Sequence, residues 1–245
     1  MIDIFIKSYQ KDFKMLNYCL KSIEKHVTGY NKIVIVIPKK DLHEYNKTID
    51  TMMPIDLQLV NEYGNGYLYQ QYCKMIAHRY CESKFIMFVD SDCIFHKPID
   101  ITTLIKNDKP EILYTHYSKV GDAICWKEPT EKFINDTVHF EYMRRLPLIY
   151  HRETLEKINA LYPNLESLIL NSNAFSEFNA LGSWAHRYHS DKYMFENTDN
   201  WQYVEAINVQ LWSHCRDKNS ELARQEYSRA IETINNALEL SITEL

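Results

Sequence analysis

Two aspartates separated by one residue follow an apolar run and are well suited to binding a cation. The run at residues 85–89, Phe-Ile-Met-Phe-Val, precedes Asp90 and Asp92. In extended backbone, carboxylates at positions i and i+2 project to the same side, and two like charges this close are costly unless a cation lies beside them. A hard dication such as Mg²⁺ or Mn²⁺ would supply that charge and would also take phosphate oxygens as ligands. The alternative is a solvated acidic turn.

Predicted strands and helices alternate before these aspartates and must position them. β-Rich runs occur at residues 2–7, 32–38, 55–60 and 84–89, and helical spacing of apolar residues occurs at residues 13–27, 41–49 and 67–81. This alternation predicts an α/β fold with a mainly parallel central sheet flanked by helices. Ligands of such sheets bind outside the carboxyl ends of the strands, which is where Asp90 and Asp92 are expected.

The chain is less regular beyond residue 98. A short helix is predicted near residues 101–105, a strand at 111–116, a helix after His151 and an amphipathic helix at 220–240. The polar face of the last helix carries acidic as well as basic residues, which favours packing on its own domain over membrane docking. Because five glycines and seven prolines are scattered without a linker-like segment, we expect one domain.

Composition excludes several classes of function. The 245 residues are 45% hydrophobic and 25% charged, as in an ordinary globular protein. A formal net charge of −5 without a basic run argues against nucleic acid as a partner. We expect no transmembrane segment, because no apolar stretch approaches the roughly 18–20 residues that one needs. Six cysteines without a C-x-x-C pair indicate free thiols in a reducing, cytoplasmic compartment and a soluble protein.

The predicted helix before the aspartates carries a polar stripe. Tyr67, Gln71, Lys74 and His78 recur at helical spacing, opposite an apolar stripe formed by Leu68, Tyr72, Met75 and Ile76. A polar stripe beside Asp90 can line a ligand cleft, and Lys74 is suited to contact phosphate or ribose oxygens. An exposed lysine on a solvated helix face is the alternative.

An apolar strand, an Asp-x-Asp triplet and a further short apolar strand resemble the GT-A class of nucleotide-sugar-dependent glycosyltransferases. A small viral and bacterial subtype is similar also in the Gly-Tyr-x-Tyr-Gln-Gln segment at 66–71, Ser-Glu-Phe at 176–178 and Trp-Ser-His at 212–214. The resemblance implies that residues 1–98 form the nucleotide-binding half of a single domain and residues 99–245 the acceptor half. It also implies that Asp90 contacts the donor and that Asp92, with Asp90, binds the metal.

The same resemblance assigns roles to residues outside the triplet. Ser8 and Tyr9 follow the first strand, where this class meets the nucleobase, although Tyr9 can equally be a packing residue. Glu177, in the Ser-Glu-Phe segment, is the candidate base that deprotonates the acceptor hydroxyl, which implies an inverting reaction. In the family, the corresponding segment usually ends in Asp, so Ser-Glu-Phe at 176–178 differs from it by one residue in register. Without the resemblance, Glu177 is a helix-start acid that interacts with the helix dipole.

Further candidates lie in the second half. His214 is the expected additional metal ligand and favours Mn²⁺ over Mg²⁺, with a structural role as the alternative. Arg144 and Arg145 can meet diphosphate or acceptor oxygens through their guanidinium groups, or can be solvent-exposed beside Pro147. Two tryptophans, Trp184 and Trp212, can stack on sugars or be buried in the core. The two histidines of the His-Arg-Tyr-His segment at 186–189 are expected on a surface helix face.

These expectations define one leading function and two alternatives. The leading function is metal-dependent transfer of a sugar from a nucleoside-diphosphate donor, UDP being favoured, to a hydroxyl of a glycan or other acceptor. A phosphohydrolase of the haloacid-dehalogenase type also has Asp-x-Asp after a buried strand, and Asp90 would then be the nucleophile. That pattern has Thr or Val two residues after the second Asp, where this chain has Ile94. A non-catalytic sugar-nucleotide-binding domain is the other alternative.

Overall fold

A computed structural model describes residues 1–144, 147–200, 207–210 and 220–244. The helices are α1 (Phe13–His26), α2 (Leu42–Thr48), α3 (Gly66–Met75), α4 (Lys127–Ile134), α5 (Arg152–Leu161), α6 (Leu165–Leu170), α7 (Glu177–Tyr188) and α8 (Glu221–Leu238). The strands are β1 (Ile2–Lys7), β2 (Val27–Thr28), β3 (Lys32–Pro38), β4 (Ile55–Val60), β5 (Phe85–Phe88), β6 (Cys93–Phe95), β7 (Ile99–Asp100), β8 (Ile105–Lys106), β9 (Lys109–His116), β10 (Phe140–Glu141), β11 (Leu148–His151), β12 (Met194–Asn197) and β13 (Asn208–Gln210).

A five-stranded sheet in the order β11-β5-β1-β3-β4 organises the first half of the chain. Strands β5, β1, β3 and β4 are parallel to one another, whereas β11 runs antiparallel beside β5. The α/β fold with a mainly parallel, mixed sheet is therefore confirmed. We call the side of the sheet where the four parallel strands end its carboxyl edge.

Helices cover both faces of this sheet, which explains why its inner strands are mostly apolar on both sides. On one face, Phe5 and Phe88 meet edge to face with ring centroids 5.7 Å apart, in a core shared with α3, α5 and α7. On the other face, Ile4 and Met87 pack with α1. Strands buried on both sides need apolar residues at every position rather than at alternate ones. The strand before Asp90 is an interior one, because β5 lies between β1 and β11.

A smaller sheet and a helix complete the second half. Strands β10, β9 and β12 form one sheet, and β13 pairs antiparallel with β6, directly after the two aspartates. Helix α8 packs on its own domain as expected, through small and apolar residues such as Ala230 and Ile234 against Met15 and Ile94. Within the described parts of the chain, no helix combines the length and apolar character required to cross a bilayer.

The helix expected at residues 67–81 is shorter than predicted. Helix α3 ends at Met75, and a 3-10 turn follows at Ala77–Arg79. Ile76, Ala77 and Cys81 remain buried, so the apolar spacing continues through a turn that is not α-helical. Since residues i and i+3 eclipse in a 3-10 turn, its apolar spacing resembles that of an α-helix in sequence.

A buried carboxylate joins the start of β1 to the chain entering β5. Asp3 is fully buried and accepts four hydrogen bonds, from Asn31 Nδ2 (2.9 Å), Ser83 Oγ (2.7 Å) and the backbone N–H groups of Glu82 and Ser83 (2.8 Å each). Burial raises the pKa of Asp3, but these hydrogen bonds outweigh it and hold the pKa below its ordinary value of 3.8. The carboxylate therefore stabilises the fold above that pH.

We predict that Asp3→Asn lowers the free energy of unfolding at pH 7 by about 2 kcal/mol or more, because an amide cannot accept all four bonds. A depressed folded-state pKa means that the wild-type advantage is lost as the pH falls from 3.8 through that pKa. Urea unfolding at pH 7 and pH 3 measures both effects. A difference between the two proteins that is the same at both pH values would contradict this account.

Candidate functional site

Asp90 and Asp92 lie at the carboxyl edge of the sheet, in a tight turn between β5 and β6. The Cys93 N–H donates to the Asp90 carbonyl oxygen (3.0 Å) and closes this turn. The expectation of extended backbone at these residues is therefore wrong, but the two carboxylates still reach one side, where both accept from the same amide group. Asp90 is only 17% exposed and Asp92 is half-buried, so a fully solvated acidic turn is also excluded.

A glutamine that the sequence analysis did not single out joins the two carboxylates. Gln210 Nε2 donates to Asp90 Oδ2 (3.1 Å) and to Asp92 Oδ1 (3.3 Å). Its position is set by strand β13, in which Gln210 is paired with Cys93 of β6. The signal in the sequence is the apolar run at residues 209–214, which contains Gln210 and ends in the candidate ligand His214. The part of that run beyond Gln210 lies outside the described residues.

Lys74 is buried against two acidic side chains. Its Nζ donates to Asp90 Oδ1 (2.6 Å) and to Glu177 Oε1 (2.7 Å), and it lies 4.7 Å from the centre of the Phe178 ring. Only 3% of the side chain is exposed, so the alternative of a lysine on a solvated helix face is wrong. We call Asp90, Lys74 and Glu177 together the lysine bridge.

The lysine bridge fixes the charge of its ammonium group. Burial lowers the pKa of Lys74, but the carboxylates of Asp90 and Glu177 outweigh burial and raise it above its ordinary value. Lys74 is therefore a permanent cation at neutral pH. It supplies the positive charge that Asp90 requires, so the cost of the two neighbouring acids does not by itself demand a dication.

The remaining oxygen atoms of the aspartates nevertheless fit a hard dication. Asp90 Oδ2 and Asp92 Oδ1 converge on the same amide nitrogen of Gln210, and carboxylate and amide oxygens are the ligand types that Mg²⁺ and Mn²⁺ accept. Among the described residues, no group of three or more His, Cys, Asp or Glu side chains is placed to hold a metal. His214, the expected further ligand, lies outside the described residues.

Glu177 is the first residue of α7 and reaches the lysine bridge from the second half of the chain. Both sequence interpretations describe part of its environment, because it starts a helix and also faces Asp90 across one ammonium group. Ser176 precedes it without capping the helix, and its Oγ instead accepts from Asn179 Nδ2 (2.9 Å). Glu177 is buried, so a substrate hydroxyl reaches it only through the site itself.

The polar stripe of α3 is only partly as predicted. Gln71, one turn before Lys74, is buried. Neither the nitrogen nor the oxygen atom of its side-chain amide has a hydrogen-bond partner among the described residues. Tyr67 is more than half exposed, and burial of its hydroxyl together with the charge of Glu177 raises its pKa to about 12. His78 lies in the 3-10 turn instead, where burial and the charges of Arg79 and Arg152 lower its pKa to about 4.

Ser8 and Tyr9 reach the same carboxyl edge as the aspartates. Ser8 and Tyr9 follow β1, and the two aspartates follow its parallel neighbour β5, so both pairs lie beyond the same end of the sheet. The Ser8 side chain is buried, and its Oγ bonds to no other described residue. Tyr9 is half-buried. Next to them, the buried Lys7 Nζ donates to the Ser8 carbonyl oxygen (2.9 Å) and to Glu62 Oε2 (3.1 Å).

Of the other candidates, the two within the described ranges have different partners. Arg144 is half-buried and forms an ion pair with the fully buried Glu141, while Arg145 lies outside the described residues. Trp184 is buried against the rings of Tyr188 and His189, which supports the core interpretation.

The interpretation of the His-Arg-Tyr-His segment as a surface face is wrong for one histidine. His189 is buried and its Nδ1 bonds to Thr154 Oγ1 (3.1 Å), and the half-buried His186 stacks on Phe195 with ring centroids 4.2 Å apart. Trp212 lies outside the described residues.

Thiols close to the aspartates are chemically protected. Cys19 Sγ donates to the Asp90 carbonyl oxygen (3.8 Å), and burial followed by the charges of Asp92 and Asp90 raises the pKa of both Cys19 and Cys93. Cys125, in contrast, is exposed.

Because the thiolate is the reactive form, a thiol reagent at pH 8 should modify Cys125 rapidly and Cys19 and Cys93 only after unfolding. Peptide mass spectrometry measures this, and rapid modification of Cys19 in the folded protein would contradict it.

Comparison with known proteins places the chain in a family without assigning it an activity. A search of curated proteins found no match. A family of unknown function, DUF6492, matches residues 2–202, which include the lysine bridge and both aspartates but not Gln210 or α8. Since the match spans most of the 245 residues, the chain belongs to the DUF6492 family.

Proposed function

We propose that this protein is a GT-A-type glycosyltransferase that transfers a sugar from a nucleoside-diphosphate donor, most simply UDP-sugar, to a hydroxyl of a glycan or other acceptor. One observation carries the proposal. Two aspartates with converging oxygen atoms lie at the carboxyl edge of a parallel sheet, and a third carboxylate, that of Glu177, is tied to one of them through a single lysine. Such an edge is where α/β sheets bind ligands.

The donor would lie across the ends of β1 and β5. Ser8 and Tyr9 are at the end proposed for the nucleobase, and the buried Ser8 Oγ has hydrogen-bonding capacity that no described residue uses. Asp90 would contact the ribose or sugar, and Asp92 with His214 would hold Mn²⁺ or Mg²⁺. Arg144 and Arg145 would contact diphosphate or acceptor oxygens, Arg144 through guanidinium N–H groups other than the Nε–H that bonds to Glu141.

Glu177 would act as the base on the acceptor side. It lies within reach of the donor-binding acid through Lys74, and Lys74 engages its Oε1, which leaves Oε2 to accept the proton of the acceptor hydroxyl. A bound dication would neutralise the charge that develops on the departing diphosphate. A base on the opposite side of the sugar from the leaving group gives inversion at the anomeric carbon.

We predict that UDP raises the melting temperature of the protein in the presence of Mn²⁺, because a ligand that binds only the native state stabilises it. Asp92→Asn should abolish this shift by removing a metal ligand. Asp50→Asn is the matched control, since Asp50 is 89% exposed and pairs with Lys21, and it should retain the shift. Differential scanning fluorimetry with UDP, UDP-sugars and other nucleoside diphosphates provides the measurement.

Two results would contradict the proposal. The first is the absence of a shift with every nucleoside diphosphate and nucleotide sugar. The second is rapid release of phosphate from a generic phosphate ester without binding of a sugar nucleotide, which would favour the phosphohydrolase. Hydrolysis of a donor that depends on Mn²⁺ and is lost in Asp92→Asn would exclude a non-catalytic binding domain.

We predict that Glu177→Gln lowers kcat by about 10²- to 10⁴-fold, the usual contribution of a positioned base, while the affinity for UDP at saturating Mn²⁺ changes little. Glu128→Gln, on the exposed surface of α4, is the control. Proton NMR of the product sugar measures the anomeric configuration directly. A product with retained configuration, or full activity in Glu177→Gln, would contradict the role of Glu177.

A further inference from the structure

Lys74 links the two ends of the proposed reaction. Asp90 belongs to the donor side of the site and Glu177 to the acceptor side, and the Lys74 ammonium group bonds to both. We propose that Lys74 is a positioning residue that holds Glu177 at the donor site and competes with a dication for Asp90. The identity of the dication rests on the proposed function, whereas the bridging contacts do not.

Geometry separates this role from that of a phosphate contact. An ammonium group has three N–H bonds, and two of those of Lys74 donate to carboxylates at 2.6 and 2.7 Å. The Phe178 ring lies 4.7 Å from Nζ, and almost none of the side chain is exposed. A phosphate oxygen would therefore have to displace a charged partner from a short, charge-assisted bond.

The two oxygen atoms of Asp90 are used differently. Oδ1 accepts from Lys74, whereas Oδ2 accepts from Gln210, the residue shared with Asp92. A dication bound at Oδ2 and at Asp92 would lie close to the Lys74 ammonium group, and two cations on one carboxylate repel each other. Lys74 should therefore weaken the binding of a dication while it holds Glu177 in place.

Loss of Lys74 should consequently have opposite effects on metal binding and catalysis. Lys74→Met should bind Mn²⁺ about tenfold more tightly or better, because the repulsion between charges a few ångströms apart exceeds the energy of a tenfold change. Its kcat should fall, because Glu177 loses the contact that holds it. Metal affinity reports the competition for Asp90, and kcat reports the positioning of Glu177, so the two opposite changes together test both parts of the inference.

Isothermal titration calorimetry of the full chain with Mn²⁺ alone, followed by UDP, tests this inference. Lys7→Met is the matched control, because Lys7 is equally buried and pairs with Glu62 rather than with either aspartate. We expect Mn²⁺ affinity to rise in Lys74→Met and to change less than about threefold in Lys7→Met, where no shared carboxylate is freed. Affinity for Mn²⁺ in Lys74→Met that is equal to or weaker than that of the wild type would overturn the inference.

A second variant keeps the test decisive if Lys74→Met does not fold. In Glu177→Gln, the Lys74 ammonium group keeps Asp90 as its only charged partner. The affinity for Mn²⁺ should therefore fall about tenfold, although Glu177 is not a proposed ligand. Unchanged affinity would overturn the inference. Glu62→Gln, which removes the partner of Lys7, is its control. If the wild type binds Mn²⁺ and UDP and the variants bind Mn²⁺ with the same affinity as the wild type, only the inference is contradicted. If neither the wild type nor any variant binds either ligand, the proposed function is contradicted as well.

Discussion

One buried ammonium group holds the candidate site together. Lys74 bonds to Asp90 and to Glu177, which are separated by 87 residues and belong to the two halves of the chain. Removing one partner from a buried ion pair leaves an uncompensated charge and is strongly destabilising, so these three residues constrain one another. The lysine bridge thereby fixes α7 against the end of β5 and places a carboxylate from the irregular half of the chain beside the regular sheet.

The sheet makes this arrangement possible, because its parallel strands all end at its carboxyl edge. Strands β1 and β5 are parallel neighbours, so Ser8 and the two aspartates follow them at the same end of the sheet. Strand β13 then returns from late in the chain to pair with β6 and adds Gln210 to both carboxylates. Helix α3 packs on the sheet with its apolar residues and still directs Lys74 to the site from its last turn.

The sequence predicted the strands and the location of the aspartates well, because both follow from local patterns. β-Rich runs, alternating in β1 and β4 and nearly continuous in β3, predicted the bounds of these strands, and the rule that ligands bind at strand ends located Asp90. It did not predict the contacts of Lys74 or Gln210, whose partners lie 16 to 120 residues away, because long-range pairing leaves no local pattern. The burial of His189 was missed for the same reason, since its partner Thr154 lies on another helix.

Two sources of positive charge could compensate the aspartates, a buried lysine and a bound dication, and sequence alone does not distinguish them. Lys74 compensates the charge of Asp90, while Gln210 bonds to the other oxygen atom of Asp90 and to Asp92, where we propose that the dication binds. A crystal structure of the protein with UDP and Mn²⁺, recorded at the manganese absorption edge, tests this division most directly. We predict an anomalous peak within coordination distance of Asp92 and of the UDP diphosphate. Manganese and UDP bound elsewhere, or no bound UDP with both aspartates directed to solvent, would contradict the account.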